Sequence, residues 1–228
     1  MLMDAEFFQP FGLSIKLAVC ATVILLIVGI PVAYFLTYSR FRLKTVLQSL
    51  ISMPLVLPPS VLGFYLLVAF SPNYWFGKTL RDWLDVQLPF SFAGILVASI
   101  IFNLPFMVNS IQAGFQNLPQ SLRDASYTLG KSSWQTLTKV LLPNIKPALL
   151  TGICLTFAHT IGEFGVILMI GGNIPGKTRV ASIAVYDEVQ ALNFDKANQY
   201  ALFLFIFSFL ILLLIYSINK EYMKWRKV

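Results

Sequence analysis

Apolar residues run almost unbroken through about five stretches, near 11–38, 46–70, 90–113, 147–170 and 197–219, with shorter polar connections between them. Each stretch holds about 20 or more residues, enough at ~1.5 Å per residue to cross a ~30 Å hydrocarbon core. The pattern therefore predicts an all-α membrane protein, one domain over residues 1–228, with five transmembrane helices. The first stretch is too long for the ~7–15-residue core of a signal peptide and is expected to stay as a membrane helix. No internal repeat is evident in the chain.

The connection over about 114–146 is unlike the others, because it carries helix signals of its own. Leu118-Pro119-Gln120-Ser121 opens one short helix, and Gly130 closes it as a left-handed C-terminal residue would. Ser132 or Ser133 caps a second helix, whose apolar stripe of Trp134, Leu137, Val140 and Leu141 runs until Pro143 ends it. On the opposite side, Tyr74, Trp75, Phe76 and Trp83 suit an interfacial aromatic belt with a short surface helix. Residues 171–196 open with Gly171-Gly172-Asn173-Ile174-Pro175-Gly176. Their remainder, 179–193, reads as a short amphipathic helix, either on the surface or dipping back into the bilayer.

Charge then orients the spans. Only 12% of residues are charged while 57% are hydrophobic, and the mean hydropathy is +0.74. The net charge of +7 would suggest nucleic acid in a soluble protein, but here the charges follow the membrane. Arg40, Arg42 and Lys44; Arg123, Lys131, Lys139 and Lys146 against Asp124; and Lys220, Lys224, Arg226 and Lys227 against Glu221 each sum to +3, all on one side. The other side holds Asp4 and Glu6, and two connections whose charges cancel. Positive charge stays in the cytoplasm, so the N-terminus is expected outside, the C-terminus inside, and 114–146 in the cytoplasm. Lys16 lies near the outer end of the first span, where its stem can snorkel. Cys20 and Cys154 fall within spans, where a thiol acts as a small apolar group.

Two features stand out inside the apolar stretches. Pro54, Pro58 and Pro59 interrupt the second, a break that membranes tolerate only against protein or a water-filled cavity. It either lines a pathway or packs as a kink. His159 and Glu163, four residues apart in the fourth stretch, are expected to share one helix face with Gly162 and Thr156. A carboxylate at bilayer depth costs roughly 2 to 3 kcal/mol, so Glu163 should face the bundle interior or a partner. Gly162 and Gly165 would permit close helix contact there. A carboxylate repels an anion, so Glu163 reads as gate or interface rather than anion ligand. A lone histidine reads first as a hydrogen-bonded packing residue.

Asp124-Ala125-Ser126, three residues, Gly130, nine residues, then Val140-Leu141-Leu142-Pro143 resembles the cytoplasmic signature of ABC importer permeases, Glu-Ala-Ala, three residues, Gly, nine residues, Ile, any residue, Leu, Pro. The substitutions keep charge, small size and branching, and the spacing is kept throughout. The resemblance extends from about residue 11 to the end. It implies a MetI-like ABC permease fold with a coupling helix that docks in a cleft of a separate ATPase subunit. Asp124, Ala125 and Gly130 would form the docking core, with Ser126, Leu129 and Pro143 around it. Gly162-Glu163-Phe164-Gly165 and Gly172–Thr178 resemble the molybdate and tungstate permeases, with related segments in sulfate permeases. The partners implied are ATPase subunits that bind the ATP and magnesium, a periplasmic binding protein, and a second permease copy in a homodimer in the bacterial inner membrane. Pro58, Pro59, His159, Gly162, Glu163 and Gly165 are its pathway or interface candidates.

Other function classes fit less well. There is no phosphate-cradling Gly-rich Lys motif and only one His, so neither ATP chemistry nor a His-based metal site is expected within this chain. A proton-coupled secondary transporter using His159 and Glu163 would call for internal inverted repeats. An intramembrane enzyme would need a nucleophile and base converging within the spans.

Overall fold

The computed structural model describes residues 5–225. Asp4 and the side chains of the basic tail, Lys220–Val228, lie outside the described residues. Among the described residues, three unbroken helices are long and apolar enough to cross a membrane: α1 (Ala5–Tyr38), α5 (Phe92–Gln116) and α12 (Phe194–Trp225, apolar through Leu214). Two bent pairs bring the number of crossings to as many as five.

The second stretch is not one straight span. It forms α2 (Lys44–Ser52), a 3₁₀ turn (Met53–Leu55) and α3 (Pro59–Phe70), with a bend of 111° between the parts. Pro58 and Pro59 lack amide donors, and Pro58 sits extended at φ −55, ψ 134, so the helix cannot run through them. The fourth stretch is also divided: α9 (Lys146–Gly162) stops, Glu163 is extended at ψ 132, and α10 (Gly165–Gly171) restarts the helix. At 12 residues, α3 is only ~18 Å long and does not cross the core by itself. Prolines announce the first break in the sequence, whereas the second, at Glu163 and Phe164, contains no proline.

Between α3 and α5 lies α4 (Trp75–Leu84), with Trp75 and Trp83 exposed. Lys16 places its ammonium 4.7 Å from the centre of the Phe92 ring, so its charge meets an aromatic face. The 179–193 segment contains α11 (Ala181–Gln190), which buries Ala181 and Ala184 against α1 and α12 and turns Ile183 into the cluster around Leu17 and Ile167. It is thus a packed element of the bundle. Ser14 ties it to α1 by accepting from the Ala181 amide at 2.9 Å. Arg179, Asp187, Glu188 and Lys196 form an ion-pair cluster beside it, with contacts of 3.1 to 3.8 Å.

The core is layered along the bundle. One layer joins α1, α3, α5 and α10 through Leu17, Leu62, Ile95, Phe102 and Ile167. A second, toward the opposite end, joins α1, α5 and the 137–145 segment through Leu25, Met107, Phe115, Leu141 and Ile145. The polar connection over about 114–146 is thereby pinned to the base of the bundle.

Candidate functional site

The connection folds into a compact projection. α6 (Gln120–Thr128) follows Pro119, whose fixed φ of −60 presets the turn. Its end is a Schellman motif: Gly130 donates to Tyr127 O at 2.9 Å and Lys131 donates to Ser126 O at 3.1 Å. Gly130 has φ +73, with open space where a Cβ would stand. The next element, α7 (Ser133–Thr136), is opened by Ser132 in a capping box with Gln135. Ser132, rather than Ser133, is therefore the cap.

The expected second helix differs from the sequence reading in two respects. A π turn (Leu137–Leu141) follows α7, and α8 (Leu142–Asn144) carries the chain one residue past Pro143 before it bends by 78° into α9. The wider turn, in which the Leu142 amide reaches Leu137 O, absorbs a proline that an α-helical register would reject. It also rotates Trp134 away from Leu137 and Leu141, so these two are buried while Trp134 is 71% exposed.

Of the six residues expected in the docking element, Asp124, Ala125, Leu129, Gly130 and Pro143 are exposed, and Leu129 reaches 77%. Ser126 turns inward. Its hydroxyl meets that of Thr136 at 2.9 Å, both buried, and locks α6 onto α7. Leu129 and Trp134 are the two most exposed large apolar side chains of this projection, with Tyr127 exposed beside them in sequence.

The two intramembrane breaks lie against each other. A Cβ on Gly165 would stand 2.9 Å from Pro59 Cβ, and one on Gly63 would stand 2.7 Å from Met169 Cβ. Hence α3 and α10 approach as closely as their backbones permit. Pro58 and Pro59 are exposed, and Gly162 has nothing within 4 Å of a Cβ position. Glu163 is only 6% exposed; its Oε1 accepts from the Val166 amide at 3.0 Å and its carbonyl accepts from Ser182 Oγ at 2.6 Å. The carboxylate therefore caps the restarted helix, while the backbone carbonyl of the same residue is anchored to α11.

His159 does not share a helix face with Glu163, because α9 ends at Gly162 between them. Its Nδ1 lies 3.0 Å from Asn103 Oδ1, with the rings of Phe106 and Phe102 4.4 and 5.2 Å away. Asn103 Nδ2 donates to Ser99 O, so its Oδ1 faces the histidine, and Nδ1 is the protonated nitrogen. Their hydrogen bonds send His159 and Glu163 to different partners. Asn103, Thr136 and Ser182 were missed in the sequence reading; Asn103 could have been found there, as a side-chain amide within an apolar span.

Comparison with known proteins identifies the family. Residues 15–223 match the family of binding-protein-dependent transport system inner membrane components. The chain is 44% identical to the molybdenum transport system permease protein ModB of Azotobacter vinelandii, over 90% of this chain and 91% of that one. It is 34% identical to the sulfate transport system permease protein CysT of Escherichia coli K12, over 96% of this chain and 78% of that one. An inward-facing structure of the MetNI methionine ABC transporter superposes with a TM-score of 0.75 at 17% identity, covering 96% of this chain and 97% of that one. The chain belongs to the family of binding-protein-dependent ABC transporter inner membrane components, as a non-enzymatic permease subunit with the MetI-like fold.

Proposed function

We propose that this chain carries molybdate, or a closely similar tetrahedral oxyanion such as tungstate, across the inner membrane, driven by a separate ATPase. The observation that carries the substrate is the 44% identity to a molybdenum permease over nine-tenths of both chains. The sulfate permeases stand further off in identity and are longer than this chain. Sulfate is the second reading, since it shares the tetrahedral geometry and charge of molybdate.

The projection of α6, Gly130 and α7 is the ATPase-docking element in this reading. The Schellman end of α6, the capping box of α7 and the buried Ser126–Thr136 pair define the turn between the two helices, and Leu129 and Trp134 offer an apolar anchor of the kind that interfaces bury. Asp124, Ala125 and Gly130 surround that anchor. The charge asymmetry supports a cytoplasmic position for this element, with the N-terminus periplasmic and the C-terminus cytoplasmic. A periplasmic binding protein delivers the anion to the opposite face.

A second copy of the chain completes the pathway. The exposed apolar side chains of Leu55, Val56, Phe64 and Tyr65, together with the open Gly162, form the face offered to it. Pro58, Pro59 and Gly165 shape the backbone at that face. Glu163 and His159 support the pathway wall and bind no anion, since one caps a helix and the other is bonded to Asn103.

Co-purification tests the docking reading. The native chain should retain its ATPase subunit in detergent, and Gly130→Trp should release it. Retention of the ATPase by Gly130→Trp would refute the assignment of this surface.

A further inference from the structure

α6 poses a mechanical question, because Ser126 is its only buried residue. Both its ends are potential pivots: extended Pro119 on one side and left-handed Gly130 on the other. A nine-residue helix held so lightly would rotate under load instead of transmitting it. Ser126–Thr136 fixes one flank of the helix to α7. The other flank meets the end of α1, where the Arg123 guanidinium lies 4.7 Å from the centre of the Tyr38 ring.

That contact is built into the bundle. Tyr38 donates its hydroxyl to Phe115 O at the base of α5, at 3.4 Å, and packs on Tyr34 and Phe115. Arg123 Nε is shielded from solvent yet has no hydrogen-bond partner, which leaves the ring face as the contact that offsets its desolvation. A planar guanidinium over a tyrosine is the arrangement that cation–π attraction favours, and partial burial strengthens it.

We infer that Arg123 and Tyr38 form a latch that holds α6 rigid against α1 and α5, so that movement of the bound ATPase drives the spans. The inference rests on the coupling reading of α6, and both are positioning residues: neither touches substrate or nucleotide. Loss of the latch should leave the ATPase attached and hydrolysing, while transport per ATP falls.

The test uses the full complex in proteoliposomes, with molybdate as the probe and with ATP hydrolysis, molybdate uptake and ATPase co-purification measured together. Arg123→Ala and Tyr38→Leu should each lower uptake per ATP by about fivefold or more and retain the ATPase. Tyr38→Phe, which keeps the ring, should stay within about twofold of the native ratio. The double variant should be no worse than either single one, as expected for two halves of one contact. Arg123→Lys, which keeps a cation over the ring but loses the planar stack, should fall between the native ratio and that of Arg123→Ala. An unchanged ratio in Arg123→Ala and Tyr38→Leu, additive losses, or a Tyr38→Phe defect equal to that of Tyr38→Leu would overturn the latch. Loss of ATPase binding in Arg123→Ala would also overturn it, by making Arg123 part of the docking face. Failure of the coupling reading itself is separable, because Gly130→Trp would then keep its ATPase.

Discussion

Replacing Glu163 separates two roles that a buried carboxylate can play. Its Oε1 accepts from the Val166 amide at 3.0 Å in a site only 6% exposed, so the side chain supplies both an acceptor and a charge. Glu163→Gln keeps an acceptor in nearly the same volume and removes the charge. Glu163→Leu also keeps the volume and removes both. Relief from burying a carboxylate at bilayer depth, roughly 2 to 3 kcal/mol, is common to the two variants and cancels in their comparison. What remains is the orphaned Val166 amide in the leucine variant, worth about 1 to 3 kcal/mol. Glu163→Leu should therefore unfold several degrees below Glu163→Gln, at about 2 to 4 °C per kcal/mol for a chain of this size. Tryptophan fluorescence during thermal unfolding in detergent would follow it. Equal midpoints for Gln and Leu would refute the capping role and leave charge as the reason for a carboxylate at this position.

Other substitutions probe neighbouring contacts. Gly165→Val should destabilise by about 1 to 3 kcal/mol and lower transport, because its side chain meets Pro59; the same thermal scan with an uptake assay checks it. Ser126→Val leaves the buried Thr136 hydroxyl without its partner, at about 1 to 3 kcal/mol, and should make the 131–134 segment more susceptible to limited proteolysis. His159→Gln can still donate to Asn103 and should retain most uptake, whereas His159→Leu should lose stability. Equal uptake and midpoints for these two would refute the packing role of His159.

Much of this architecture is visible in composition. Long apolar stretches define α1, α5 and α12, because in lipid the backbone must satisfy itself within a helix. Pro119 and Gly130 bound α6 through local stereochemistry, which sequence carries directly. The π turn before Pro143 is not legible, since its register is settled by burying Leu137 and Leu141 against α5 and α1. Nor is the break at Glu163: its ψ of 132 is stabilised by Val166 and by Ser182 on another helix. Regular periodicity placed His159 and Glu163 on one face, and that inference fails wherever a helix stops between two residues. The Arg123–Tyr38 contact spans 85 positions (123 minus 38), and no local pattern announces it.

The decisive experiment is ATP-driven uptake of radiolabelled molybdate in proteoliposomes containing this chain, its ATPase and its binding protein. Uptake should require ATP, survive collapse of the proton gradient, and be lost with Gly130→Trp. Uptake that proceeds without the ATPase and follows the proton gradient would refute an ATP-driven permease.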